Sequence, residues 1–144
     1  MMLACLKGYA GMVKYLLKKG ADISMTDTTG FTPLLYAVKA GHVGIALYLI
    51  QQDADIHEQD NSGCTVIHWA AYKNNLFLFQ ILVNLKVNPL HKDNLGRTPF
   101  DLALNNYSYD VVYYCMERKI ATFTEHQIKN NIIKSPAMKR HYIY

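Results

Sequence analysis

Asp27-Thr-Thr-Gly-Phe-Thr-Pro-Leu-Leu-Tyr-Ala37 is answered 33 residues later by Asp60-Asn-Ser-Gly-Cys-Thr-Val-Ile-His-Trp-Ala70. After 33 more comes Asp93-Asn-Leu-Gly-Arg-Thr-Pro-Phe-Asp-Leu-Ala103. Four columns stay in register: Asp27, Asp60 and Asp93; Gly30, Gly63 and Gly96; Thr32, Thr65 and Thr98; Ala37, Ala70 and Ala103. Such a period is the mark of a stacked repeat, in which no unit buries its apolar face alone. Each column has a physical task. Asp-x-x-Gly reads as a tight turn, the carboxylate binding its own backbone and the glycine taking positive φ. The threonines stand where a hydroxyl caps a helix, with Pro33 and Pro99 in the first helical turn, where no N–H is missed. The alanines are small because neighbouring helices must approach closely.

Outward from these stretches the same step recurs in Leu16, Leu49 and Leu82, and in Ala4 and Ala37. Ile45, Leu49 and Ile50, like Leu78, Leu82 and Val83, carry helical spacing and are expected in the core. Gly20-Ala-Asp22, Asp53-Ala-Asp55 and Lys86-Val-Asn88 close successive units. The glycine there suits a left-handed helix end; Asp53 tolerates that geometry, and Lys86 pays about 1 kcal/mol for it.

A 33-residue D-x-x-G-x-T-P-L-H-x-A unit resembles the ankyrin repeat. The resemblance covers about residues 1–119 and implies an all-α solenoid of stacked helix-turn-helix units joined by β-turn fingers. It divides the chain into a partial repeat 1–26, repeats 27–59, 60–92 and 93–119, and a basic extension 120–144. Met1-Met2-Leu3-Ala4 aligns with Leu34-Leu35-Tyr36-Ala37, so the first unit starts inside its first helix; further repeats are expected upstream in the parent chain. Asp101, standing where His68 does, resembles a terminal, solvent-facing unit. Ile120, Phe123, Ile128, Ile132 and Ile133 are expected to dock in part on that last repeat.

Composition narrows the function. With 51% hydrophobic and 18% charged residues the chain is globular, and no run approaches the roughly 18 apolar residues of a membrane span. The first eight residues carry no charged flank leading into a long apolar run, so no signal peptide is expected there. Cys5, Cys64 and Cys115 are scattered and odd in number, which argues for reduced thiols over a disulfide framework or zinc site. The six histidines show no paired ligand spacing, and no nucleophile motif or phosphate-binding glycine loop is present. No catalytic residue, metal or cofactor is expected. The +4 charge is blocked, basic in the first twenty residues and acidic from 21 to 68, so nucleic acid is not expected as a partner.

What remains is binding. Counted from the threonine column, the outward row of the first helices holds Tyr36, Lys39 and Ala40, then Trp69, Tyr72 and Lys73, then Leu102, Asn105 and Asn106, continuing Leu3, Leu6 and Lys7. Aromatic side chains among cations make hot spots. The expected site is therefore a concave groove of Tyr36, Lys39, Trp69, Tyr72, Lys73 and Leu102, rimmed by the fingertip residues Phe31, Asn61, Ser62, Leu95 and Arg97. It would bind a protein or extended peptide segment, with the chain a monomer and Trp69 serving recognition, not folding.

His68-Trp-Ala-Ala-Tyr-Lys73, with Tyr48-Leu-Ile50 and Asp55-Ile56, is also similar to the cytosolic ankyrin array of Asp-His-His-Cys S-palmitoyltransferases. That resemblance implies a substrate-recruiting domain on the cytosolic face of an internal membrane such as the Golgi. Lys134-Ser-Pro-Ala-Met-Lys-Arg-His-Tyr-Ile-Tyr144 would then lead towards a membrane helix, the chain's one link to a membrane. The Asp-His-His-Cys motif is absent from these residues, so catalysis would lie elsewhere in the parent. The alternative is a free-standing ankyrin adaptor or inhibitor docking on another protein.

Overall fold

The repeat columns become helix pairs. A computed structural model describes residues 1–124; residues 125–144, with the basic end of the extension and its three expected docking isoleucines, lie outside the described residues. The helices are α1 (Met2–Lys7), α2 (Ala10–Lys18), α3 (Pro33–Ala40), α4 (Val43–Gln51), α5 (Val66–Tyr72), α6 (Leu76–Asn84), α7 (Pro99–Asn105) and α8 (Tyr109–Glu117). Among the described residues there is no strand, and no helix is long and apolar enough to cross a membrane.

Local chemistry sets where the first helices start. Thr32 Oγ1 accepts from the Leu35 N–H at 3.2 Å. Thr98 and Asp101 cap each other: Thr98 Oγ1 accepts from the Asp101 N–H at 3.2 Å, and the Asp101 carboxylate accepts from the Thr98 N–H at 2.8 Å. In the middle unit the Thr65 N–H donates to His68 Nδ1 at 3.2 Å, while His68 Nε2 faces the Arg97 carbonyl at 3.3 Å, so one imidazole ties a cap to the next turn.

The helix ends follow the same period. Left-handed residues fall in three columns: Gly8, Gly41, Asn74 and Tyr107; Gly20, Asp53, Lys86 and Lys119; and the turn glycines Gly30, Gly63 and Gly96. Asp53 (φ 63°) and Lys86 (φ 66°) take the expected conformation without glycine, and so do Asn74, Tyr107 and Lys119.

The first helices pack side by side, α1 on α3, α3 on α5 and α5 on α7, with the second helices behind them. Fully buried Ala37, Ala70 and Ala103 allow that approach, and the columns Leu34–Ile67–Phe100 and Leu49–Leu82–Cys115 fill the space between the layers. The turn fingers are laced together as well. The Asn61 N–H donates to the Thr29 carbonyl at 3.0 Å and Asn61 Nδ2 to the Thr28 carbonyl at 2.9 Å. Asn94 repeats both bonds, to the Ser62 carbonyl at 2.9 Å and the Asn61 carbonyl at 3.0 Å. This closeness demands glycine twice over: a Cβ on Gly30 would lie 2.5 Å from Asn61 Oδ1, and on Gly63 2.5 Å from Asn94 Oδ1. Beyond α8, Ile120, Ala121 and Phe123 pack against the core, the Phe123 ring 5.6 Å from that of Phe100.

Candidate protein-binding surface

Each turn aspartate divides its labour between its two oxygens. Asp27 Oδ1 accepts from the Thr29 and Phe31 N–H groups at 2.9 and 3.0 Å. Asp60 Oδ1 accepts from Ser62 and Cys64 at 2.8 and 3.1 Å, and Asp93 Oδ1 from Leu95 and Arg97 at 2.9 and 2.8 Å. The second oxygen reaches the first helix. Tyr36 Oη–H donates to Asp27 Oδ2 at 2.6 Å, and Trp69 Nε1–H donates to Asp60 Oδ2 at 3.0 Å. The next member of that column, Leu102, has no donor, and Arg97 supplies one instead, with Nε at 2.8 Å and Nη2 at 2.7 Å from Asp93 Oδ2.

These bonds set the charge states. The Tyr36 and Thr29 hydroxyls hold the Asp27 carboxyl well below the usual carboxylate range, and Asp27 pushes the Tyr36 phenol up. Burial works to raise Asp93, but the Arg97 side chain and the turn N–H groups outweigh it and hold the acid low.

The anchored aromatics form a chain. Phe31 lies 5.0 Å from Tyr36 and 5.5 Å from Trp69, and Tyr72 meets Trp69 edge-on at 5.8 Å, as ring-centroid distances. Lys39 Nζ sits over the faces of Phe31 and Trp69, at 4.4 and 4.6 Å. Beside this cluster opens a depression of about 330 Å³, lined by Lys39, Ser62, Cys64, Trp69, Tyr72, Arg97 and Leu102. Its walls therefore come from three successive units.

A sequence model described as ankyrin repeats (3 copies) matches residues 1–60 and 52–124. The chain belongs to the ankyrin-repeat family. No curated protein matches it. Ankyrin repeats are protein–protein interaction modules, and the fold places this chain among them.

On this ankyrin stack, Lys39, Trp69, Tyr72 and Leu102 of the outward row meet Ser62 and Arg97 of the fingertips around one depression. The other expected residues lie apart from its lining. Phe31 is the clearest correction: it is buried, not rim, because the Asp27 turn directs its ring between Tyr36 and Trp69 and beneath Lys39. Tyr36 is tied to its own turn. Asn61 spends its amide on lacing the fingers, exposed Leu95 projects from its turn, and Lys73 stands exposed at the end of α5. Trp69 is corrected in its role, since its indole N–H holds buried Asp60 and so serves the fold as well as the surface. Cys64 is the lining residue the sequence did not flag; it fills the fingertip column of Phe31 and Arg97, and its Sγ lies 3.8 Å from Asp93 Oδ2.

Other candidates lead elsewhere. The three thiols are buried and unpaired, and burial pushes Cys5 up to about 11 and Cys115 to about 12, away from nucleophilic thiolate. His68 is held neutral, its pKa lowered by burial. Among the described residues no group of three or more His, Cys, Asp and Glu could hold a metal ion. A larger hollow of about 390 Å³ lies between α2 and α4, lined by Ala10, Val13, Gly44, Ile45 and Tyr48 among others. Lys14, Leu47 and Gln51 complete its lining, and Lys14 Nζ lies 5.3 Å from the centroid of the Tyr48 ring.

Proposed function

We propose that the chain, as a monomer, holds an extended segment of a partner protein in the depression between repeats 27–59, 60–92 and 93–119, with an apolar side chain of that segment seated against Trp69, Tyr72 and Leu102. The observation that carries this reading is the convergence of those three side chains, from two successive first helices, on one concave hollow. Tyr72 is 39% exposed, giving an occupant ring surface to cover. A partly exposed, rigid aromatic is what a binding hot spot requires, since little side-chain entropy is lost when it is covered.

The test uses Tyr72→Ala, because among the described residues the Tyr72 hydroxyl makes no hydrogen bond and its ring lines the hollow, 39% exposed. Against a partner segment selected on the wild-type chain, the loss should be on the order of tenfold or more, as for a hot-spot aromatic, with the melting curve retained. Equal affinity of wild type and Tyr72→Ala for that segment would place recognition elsewhere on the stack.

The finer reading follows from the His68-Trp-Ala-Ala-Tyr-Lys73 run: the partner segment belongs to a substrate of a membrane S-palmitoyltransferase, and the array lies on the cytosolic face of an internal membrane such as the Golgi. Its support is the sequence resemblance. Four apolar spans with an Asp-His-His-Cys loop in the reading frame beyond Tyr144 are expected, together with protease-accessible repeats on sealed vesicles. A full-length product that lacks them would turn the reading to the free-standing adaptor.

A further inference from the structure

The hollow carries three cations on or beside it, and the geometry separates them. We infer that Lys39 is its anion-reading residue, so that the bound segment carries an aspartate or glutamate beside the apolar side chain seated on Trp69 and Tyr72. This rests on the proposed binding of a segment in the hollow.

Arg97 is paired, its Nε and Nη2 both on Asp93 Oδ2, so that a carboxylate already offsets its charge. Lys73 is exposed at the end of α5 and is not part of the lining. Lys39 differs from both. Its ammonium lies over two ring faces, at 4.4 and 4.6 Å, and no carboxylate among the described residues lies within salt-bridge distance of it. Ring faces attract a cation but give its three N–H groups no oxygen to bind, so the ammonium keeps donor capacity for an occupant.

The clamp is also pre-formed. The Trp69 ring is held by Asp60 and braced by Phe31 and Tyr72, so placing the charge costs the complex little.

Two ring faces and a cation could equally describe a cage for a partner's lysine or arginine, with Lys39 as the resident to be displaced. The carboxylates decide against it. A cationic guest gains most where an acid faces the rings, yet Asp60 and Asp93 commit both oxygens to their own turns and to Trp69 and Arg97. The charge left facing the hollow is positive.

The experiment pans a library of random displayed peptides on the chain and measures the selected peptides against Tyr72→Ala, Lys39→Met, Lys39→Arg and Lys73→Met. Peptides that lose affinity with Tyr72→Ala report the hollow. Among them an Asp or Glu at fixed spacing from an apolar residue is expected. Lys39→Met should weaken these by about tenfold and flatten their salt dependence, as for loss of a partly desolvated ion pair. Lys39→Arg should keep most of the affinity, and Lys73→Met all of it. Peptides sensitive to Tyr72→Ala but lacking an acid, or indifferent to Lys39→Met, would overturn the role of Lys39 and leave the hollow as the site. Basic peptides that tighten with Lys39→Met would establish the cation cage instead. Selected peptides wholly indifferent to Tyr72→Ala would remove the binding site itself.

Discussion

Trp69→Phe removes one bond. The substitution keeps a flat ring between Phe31 and Tyr72, whose rings lie 5.5 and 5.8 Å from that of Trp69, and removes, with part of the indole surface, the donor that meets Asp60 Oδ2 at 3.0 Å. Asp60 is 6% exposed, so the abandoned oxygen has little water to turn to, while Oδ1 keeps its bonds to Ser62 and Cys64. Hydrogen bonds to a charged group contribute about 1.5–3 kcal/mol, and the adjacent hollow admits some solvent, so a loss of about 1.5–2 kcal/mol is expected. For a chain of this size that is a fall in melting midpoint of roughly 6–8 °C. Because the substitution removes the chain's one tryptophan, unfolding in urea should be followed by helical circular dichroism. Tyr36→Phe performs the same deletion on the less buried Asp27, and its loss should be smaller. If Trp69→Phe unfolds with the wild-type midpoint, the indole bond carries no stability. The split of Asp60 into a turn oxygen and a helix oxygen would then contribute nothing to the fold.

Three other outcomes follow from the same geometry. His68 is neutral in the fold and its pKa is held below the free value of 6.5 by burial, so the unfolded chain binds the extra proton: stability should be full above about pH 6.5, fall as pH drops below it, and lose most of that slope in His68→Gln, as read from urea midpoints. Gly30→Ala and Gly63→Ala combine positive φ with a Cβ 2.5 Å from the next asparagine and should cost about 2–3 kcal/mol, whereas Gly96→Ala, with open space around it, should cost only the backbone term of about 1 kcal/mol; equal midpoints for the three would refute the close approach of the fingers. Phe123→Ala uncovers Phe100 and should cost about 1–2 kcal/mol, and an unchanged melting curve would mean that the stretch after α8 does not seal the last repeat.

What the sequence determined by itself is everything that repeats. Thr32, Thr65 and Thr98 begin helices because a residue's role in a stack is set by its place in the unit, and a 33-residue step carries that place along the chain. The small alanines, the buried leucines and the left-handed Asp53 and Lys86 were legible for the same reason. Asn74 and Tyr107 were not: their residue types do not announce positive φ, and only the period of Gly8 and Gly41 hints at it, while Lys119 follows the column of Gly20, Asp53 and Lys86.

The tertiary structure decided the direction of the turn side chains and the pairing of charges. Phe31, Cys64 and Arg97 share one column, yet one is the buried ring under Lys39, one lines the hollow as a thiol, and one is bound to Asp93. Their fates depend on what the neighbouring repeat places opposite them. Trp69 looked like a free anchor because its link to Asp60 joins a turn to a helix, at a separation that fits neither helical nor strand periodicity. Lys39, Lys73 and Arg97 carry the same charge in the sequence. Distances to Phe31, Trp69 and Asp93 set Lys39 over two rings and tie Arg97 to a carboxylate, and they differ because the energy of a charge lies in its surroundings and not in its residue type.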